Sequence, residues 1–150
     1  MSVIDRSLPP SSGPIRHFDF PSVDRRRLSN RLDLRVALMR RLPVVSVRLF
    51  MRAGEAALRV HSAGLAALTG EALDGGTKKR TGRELADALE SVGARLGASA
   101  GWEGTSVSLY CLADRLEEGL TLLAEAVTQP GFPSDEVERA QEQQIAGIRQ

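Results

Sequence analysis

Few residues in this 150-residue chain have side chains suited to catalysis. It has two histidines, His17 and His61, and a single cysteine, Cys111. A zinc hydrolase helix needs two imidazoles four residues apart, so that both point at one metal, and a carboxylate beside them to accept a proton from metal-bound water. Glu71 stands on a predicted helix, but the residue four positions before it is Ala67. One carboxylate without imidazole partners will not hold zinc usefully.

The remaining candidates do not complete such a site. His61 precedes Glu71 by ten residues and projects from a different turn, while His17 belongs to the N-terminal segment. A metal site rebuilt around Glu71 stays an alternative, and we prefer a solvated carboxylate on an amphipathic helix. Cys111 cannot form an intrachain disulfide. Its place in an alternating strand pattern indicates a small buried hydrophobe and not a catalytic thiol.

The composition is that of an ordinary soluble globular protein, with 42% hydrophobic and 26% charged residues. A net charge of +1 creates no field that would steer the chain to nucleic acid or membrane, and 4% aromatic residues argue against a base-stacking surface. No apolar run approaches a membrane span, and the first residues lack the pattern of a secretory signal. If the start is authentic, we expect a cytoplasmic protein.

Residues 1–24 are predicted to form an extended tail, because the proline-rich stretch 9–14 cannot hold a helix. We interpret Arg25–Arg27 as the solvated start of a strand and not as a nucleic-acid patch. Residues 25–150 then form one α+β domain.

Alternating apolar residues predict strands over 32–38 and 45–51, joined by a turn at 40–43. The period becomes helical from Ser62, a plausible N-cap, to Leu73. The predicted buried face of this helix carries Leu65, Leu68 and Ala72.

Thr81 to Glu84 is a capping box that predicts a second helix, with an apolar stripe of Leu85, Leu89 and Val92. A weak strand over 96–100 and a stronger one over 105–111 follow. Asp114 is predicted to cap a third helix, which ends before a break at 130–133. The predicted buried face of this third helix carries Leu116, Leu120, Leu123 and Val127.

Ser134 opens a last helix that is still running at Gln150, which is typical of a truncated domain. The predicted order is β-β-α-α-β-β-α-α, an antiparallel sheet with helices packed on one face.

The segment from Gly64 to Thr77 resembles the zinc-binding motif of the pitrilysin/insulinase family of metallopeptidases (inverzincins). That motif reads approximately G-L-A-H-x-x-E-H-x-L-x-x-G-T. Its framework is retained here as Gly64, Leu65, Ala66, Leu73, Gly76 and Thr77. By this resemblance Ala67 stands at the first histidine, Gly70 at the general base and Glu71 at the second histidine.

The resemblance extends over nearly the whole chain. The last helix matches the family pattern F-P-x-x-E-F-E-R-x-x-x-x-x-x-x-E-I-R and places Gly147 at the third, glutamate ligand. Residues 27–32 resemble the family's L-x-N-G-L turn, with Arg31 in place of glycine. Because glycine favours the geometry of a tight turn, arginine at this position argues against one. Further matches in family order lie at 17–21, 43–47, 84–86 and 89–94.

This resemblance implies a zinc-less, non-catalytic subunit of the kind found in heterodimeric bacterial members. Such a subunit pairs with a zinc-bearing homologue, or forms a homo-oligomer, and helps to enclose a peptide substrate. Zinc is then expected only in the partner. In the family a peptide adds as a strand to a sheet edge, and the corresponding segment here is Leu96, Gly97, Ala98, Ser99 and Ala100. An ordinary strand without ligand, and a purely structural assembly subunit, stay open as alternatives.

Overall fold

The computed structural model describes residues 13–14 and 17–149. The chain divides into two compact units, Met1–Arg41 and Leu42–Gln150. None of the described helices is long and apolar enough to cross a membrane.

The first unit is a β-hairpin formed by β1 (Val23–Arg27) and β2 (Asp33–Ala37), which pair antiparallel from Val23–Ala37 to Arg27–Asp33. The sequence analysis interpreted Arg25–Arg27 as the start of a strand but did not predict a separate strand there, and it placed Val23 and Asp24 in the tail. The reason is that its three consecutive arginines show no alternation of apolar and polar residues. The strand forms because it pairs with β2. Most of the predicted tail, residues 1–12 and 15–16, lies outside the described residues.

The turn of this hairpin is tight, although glycine is absent from it. The N–H of Arg31 donates to the carbonyl of Leu28 (2.9 Å), and the N–H of Leu32 donates to Asn30 Oδ1 (3.1 Å). Arg31 reaches this geometry with φ = 69°, in the left-handed region that side chains avoid. The turn expected from the L-x-N-G-L resemblance is therefore formed, with backbone strain at Arg31.

The second unit contains a three-stranded antiparallel sheet in the order β3-β5-β4. Its strands are β3 (Val44–Met51), β4 (Arg95–Ala100) and β5 (Thr105–Leu112). The predicted strands 32–38 and 45–51 thus belong to two different sheets. The α+β class and the antiparallel pairing are confirmed.

Four helices complete this unit: α1 (Leu65–Glu71), α2 (Gly82–Ser91), α3 (Leu116–Thr128) and α4 (Ser134–Ile148). The buried residues of β5, which are Thr105, Val107, Leu109 and Cys111, all belong to one face of the sheet. The core on that face consists of Leu73, Leu85, Leu89, Val107, Leu109, Cys111, Leu122 and Leu123. Burial raises the pKa of the Cys111 thiol, with a smaller contribution from Glu118, in keeping with the predicted structural role of the cysteine.

The helix boundaries confirm one predicted cap and correct two. Thr81 and Glu84 form the capping box of α2 in both directions. In contrast, α1 begins at Leu65 after Gly64, and Ser62 lies in a separate 3-10 turn. Asp114 also lies in a 3-10 turn, and α3 has no side-chain cap.

Two leucines predicted to be buried are partly exposed, Leu65 by 48% and Leu120 by 40%. In α1 the small residues Ala66 and Gly70 face the interior instead of Leu65, because this helix packs closely on β4. The predicted burial of Ala72, the C-cap of α1, is confirmed. The last helix ends at Ile148 with Arg149 as its C-cap, and Gln150 lies outside the described residues.

Replacing Arg31 by glycine should stabilise the hairpin. A left-handed residue costs about 1–2 kcal/mol when it carries a side chain, and the greater freedom of glycine in the unfolded chain returns roughly 0.5–1 kcal/mol of this. We expect slower amide exchange across β1 and β2 in Arg31→Gly. The control Arg26→Gly, within β1, should exchange faster. Unchanged or faster exchange in Arg31→Gly would argue against strain at this position.

Candidate functional site

The position of α1 depends on Glu55, a residue that the sequence analysis missed. Its carboxylate accepts hydrogen bonds from the N–H groups of Gly64 and Ala67, each at 3.0 Å, and so satisfies the N-terminal donors of the helix. The N–H of Glu55 in turn donates to the carbonyl of Gly101 (3.1 Å) in the β4–β5 turn. Glu55 therefore ties the first turn of α1 to the end of β4. No local pattern could identify it, because the residues that it joins are distant in sequence.

α1 lies so close to β4 that little room is left for a side chain at position 70, where the family motif has its general base. Gly70 is buried, and a Cβ built on it would lie 3.0 Å from the backbone nitrogen of Ala100 and 3.3 Å from the carbonyl carbon of Ser99. Contacts of 3.0–3.4 Å require the neighbour to move, and this neighbour is strand backbone. Any side chain at position 70 must displace either α1 or β4.

β4 is an edge of the sheet within the described residues. Hydrogen-bonded pairs alternate along an antiparallel ladder, and the N–H of Gly101 donates to the carbonyl of Gly104 at 2.9 Å. From the register, the N–H and C=O groups of Leu96, Ala98 and Ala100 therefore point away from β5. The Ala100 nitrogen faces Gly70, whereas Leu96 and Ala98 have backbone groups free for another strand.

The three positions at which the family motif has its zinc ligands do not fit a zinc ion in this chain. Ala67 is half-buried and ends in a methyl group, Glu71 is exposed, and Gly147 on α4 is exposed with no atom within 4 Å of a Cβ built on it. His61 is exposed in a 3-10 turn. A single carboxylate lacks the nitrogen or sulfur donors that zinc prefers. Across residues 13–14 and 17–149, no group of three potential metal-binding side chains comes together.

α4 runs antiparallel to α1. The Nε2 atom of Gln144 donates to the carbonyl of Gly64 (3.2 Å), and a Cβ on Gly75 would lie 3.0 Å from the Cβ of Glu136. The structure thus keeps the pairing of the two helices that carry the ligand positions, although the ligands themselves are replaced.

The framework residues after α1 are retained for structural reasons. Gly76 has φ = 133°, and a Cβ there would approach the carbonyl of Arg80 at 2.9 Å. The Gly76 carbonyl accepts from the N–H of Gly131 (3.0 Å), and Thr77 forms an isolated bridge with Pro130. This turn joins α1 to the segment between α3 and α4, which gives glycine and threonine a structural role at these positions.

Beneath this turn lies a buried carboxylate, Glu125 of α3, which is 8% exposed. It accepts a hydrogen bond from Thr77 Oγ1 (2.6 Å) and forms an ion pair with the guanidinium of Arg80. Thr77 Oγ1 also accepts from the N–H of Arg80 (2.9 Å). The bond from Arg80, and then that from Thr77, holds the pKa of Glu125 below its ordinary value of 4.5, against the opposing effect of burial. Because both oxygens are engaged, Glu125 serves the fold and not proton transfer.

The order of the strands and helices defines an α+β domain of the metallopeptidase-like kind. Residues 35–149 match the family described as Insulinase (Peptidase family M16), and the chain belongs to this family.

Two relatives share more than a quarter of the matched residues. The Non-peptidase homolog YmxG of Helicobacter pylori (strain ATCC 700392 / 26695) is 28% identical over 109 residues, which are 73% of this chain and 25% of that protein. The crystal structure of a peptidase M16 inactive domain from Pseudomonas fluorescens is 29% identical with a TM-score of 0.78, over 85% of this chain and 31% of that one. The chain therefore spans about a quarter to a third of the length of these relatives.

A more distant solved structure shares the fold alone. The periplasmic protease PqqL from Escherichia coli is 15% identical with a TM-score of 0.77, over 87% of this chain and 15% of that one.

Alanine at position 70 tests the contact between α1 and β4. Glycine within a helix costs about 1 kcal/mol relative to alanine, whereas overpacking costs about 1–3 kcal/mol. We expect Gly70→Ala to lower the free energy of unfolding by roughly 1 kcal/mol. The matched change Gly147→Ala, in open space on α4, should raise it by up to about 1 kcal/mol. Chemical denaturation measures both, and equal stabilisation by the two changes would refute the contact.

Removing the charge of Glu125 tests the buried network. Glu125→Gln should lower the free energy of unfolding at pH 7 by about 1.5–3 kcal/mol, the value of a hydrogen bond to a charged group. Because the folded pKa is depressed, the wild-type advantage is present above about pH 4.5 and is lost as pH falls through the folded pKa. The difference between wild type and variant should therefore shrink below pH 4.5. Glu117→Gln, exposed on α3, is the control and should change stability little. A difference that is constant with pH would exclude this account.

Proposed function

We propose that this chain is a non-catalytic M16 domain that pairs with a zinc-bearing homologue and helps to enclose and bind a peptide substrate. The observation that carries the proposal is the state of the motif. The ligand positions hold Ala67, Glu71 and Gly147, and the base position holds Gly70 with its α-carbon against the backbone of β4. Zinc hydrolysis needs metal ligands and a general base, and these positions provide neither.

The two relatives support the non-catalytic part of the proposal. One is named a non-peptidase homolog and the other an inactive domain, and both share more than a quarter of the aligned residues with this chain. Since this chain spans only part of their length, pairing and substrate enclosure rest on the family resemblance. We place zinc in the partner and not in this chain, and cytoplasmic localisation stays a prediction.

The peptide-binding part is supported by the edge position of β4, over Leu96, Gly97, Ala98, Ser99 and Ala100. Strand addition uses backbone groups, and those of Leu96 and Ala98 point to the free edge. Gly97 lies between them, and no atom lies within 4 Å of a Cβ built on it. At the other end, Gly70 stands against Ala100 and limits the accessible edge to the first part of β4.

Metal analysis and a peptidase assay on the purified chain test the first part. We expect no stoichiometric zinc and no cleavage of unfolded peptides, because the donor set is absent. Stoichiometric zinc, together with cleavage that is lost on chelation, would establish a rebuilt site instead.

Reconstitution with an M16 homologue that carries an intact H-x-x-E-H motif tests the pairing. We expect peptide cleavage by the complex to exceed that by the homologue alone, because this chain contributes to substrate capture. As a control, the chain is replaced by an unrelated protein at the same concentration. A complex that forms without any change in peptide affinity or cleavage would indicate a purely structural subunit.

A further inference from the structure

The three-stranded sheet has one face that the helices do not cover. Val45, Val47, Leu49, Leu96 and Ala98 pack against the core on the helical side. Side chains alternate along a strand, so their neighbours occupy the opposite face. By the strand register these neighbours form cross-strand rows: Phe50 with Ser106 and Ser99, Arg48 with Ser108 and Gly97, Ser46 with Tyr110 and Arg95, and Val44 with Leu112.

The uncovered face is cationic and rich in hydroxyl groups. Arg48 and Arg95 are the only charged residues in β3, β4 and β5, and both are exposed. Within residues 17–149 neither arginine lies within ion-pair distance of a carboxylate. The serine and tyrosine hydroxyls of this face likewise make no hydrogen bond to a described residue. Guanidinium and hydroxyl donors without internal acceptors suit a ligand that carries carboxylates.

The free edge of β4 adjoins this face at Arg95. A peptide strand added beside β4 would place every second side chain on the uncovered face, about 4.8 Å from β4. The small residues Gly97 and Ser99 leave space there, and Arg95 is the charged neighbour. Arg48 lies on the far strand, roughly 14 Å from such a peptide, beyond a Debye length of about 8 Å at physiological salt.

We propose that the edge of β4 selects peptides with acidic residues at alternating positions, through Arg95 and, at low salt, through Arg48. This rests on the proposed function, since it names the class of peptide that the same edge binds. A nucleic acid is less suited, because the chain has a net charge of +1 and only 4% aromatic residues.

Fluorescence anisotropy with labelled peptides tests the proposal on the full chain. The probes are an extended peptide with glutamate at every second position and the same peptide with glutamine instead. We expect tighter binding of the glutamate peptide, weakening with salt. Arg95→Ala should reduce its affinity about two- to five-fold, as for an exposed ion pair, without affecting the glutamine peptide. Arg48→Ala should have a similar effect only at low salt.

The control variant is Arg83→Ala on α2, which removes the same charge from an exposed arginine outside the sheet. It should leave affinity unchanged, and circular dichroism checks that all variants fold. Equal binding of the two peptides, or equal effects of Arg83→Ala and Arg95→Ala, would overturn the acidic selectivity and leave peptide binding intact. Absence of binding by both peptides would overturn the proposed function as well. A single-stranded oligonucleotide bound more tightly than the glutamate peptide would also overturn the proposal that this edge selects acidic peptides.

Discussion

The second unit depends on one buried carboxylate and the turn that covers it. Glu125 is withdrawn from water, and a buried charge is tolerated only when it is paired and hydrogen-bonded. Thr77 and Arg80, both in the loop after α1, supply the partners. This requirement joins α3 to the end of α1, and Gly76 allows the backbone to approach closely enough for it.

Because of this constraint, the residues of the motif that maintain the fold are different from those that catalysis requires. The framework residues that are retained have structural roles. Gly64 precedes α1 in a left-handed conformation, Gly76 allows a tight turn, and Thr77 donates a hydrogen bond to Glu125. The residues that catalysis requires contact a metal or a water molecule and little of the protein. They can therefore be replaced by Ala67, Gly70 and Gly147 while the helix pairing and the sheet remain.

The sheet has two surfaces that are candidates for binding a ligand, its uncovered face and its edge at β4. One face holds the core, and the other presents arginines and hydroxyls without internal acceptors. At the edge formed by β4, the backbone groups of Leu96 and Ala98 are accessible to another strand, whereas α1 lies against Ala100. Glycine at position 70 thus has two consequences: the position has no proton acceptor, and the helix can lie close to the strand.

The sequence by itself determined the α+β class, four of the five strands, the capping box of α2 and the burial of Cys111, because these follow from local periodicity and hydrogen bonding between near neighbours. It also showed that the expected ligands are missing, since residue identity at fixed spacing suffices for that. Only the tertiary structure showed that β1 is a separate strand paired with β2, and only it placed Glu55, Glu125 and the contact of Gly70 with Ala100. Apart from the β1–β2 pairing, these depend on groups from 9 to 48 residues apart meeting in space, and a linear pattern carries no signal for such partners.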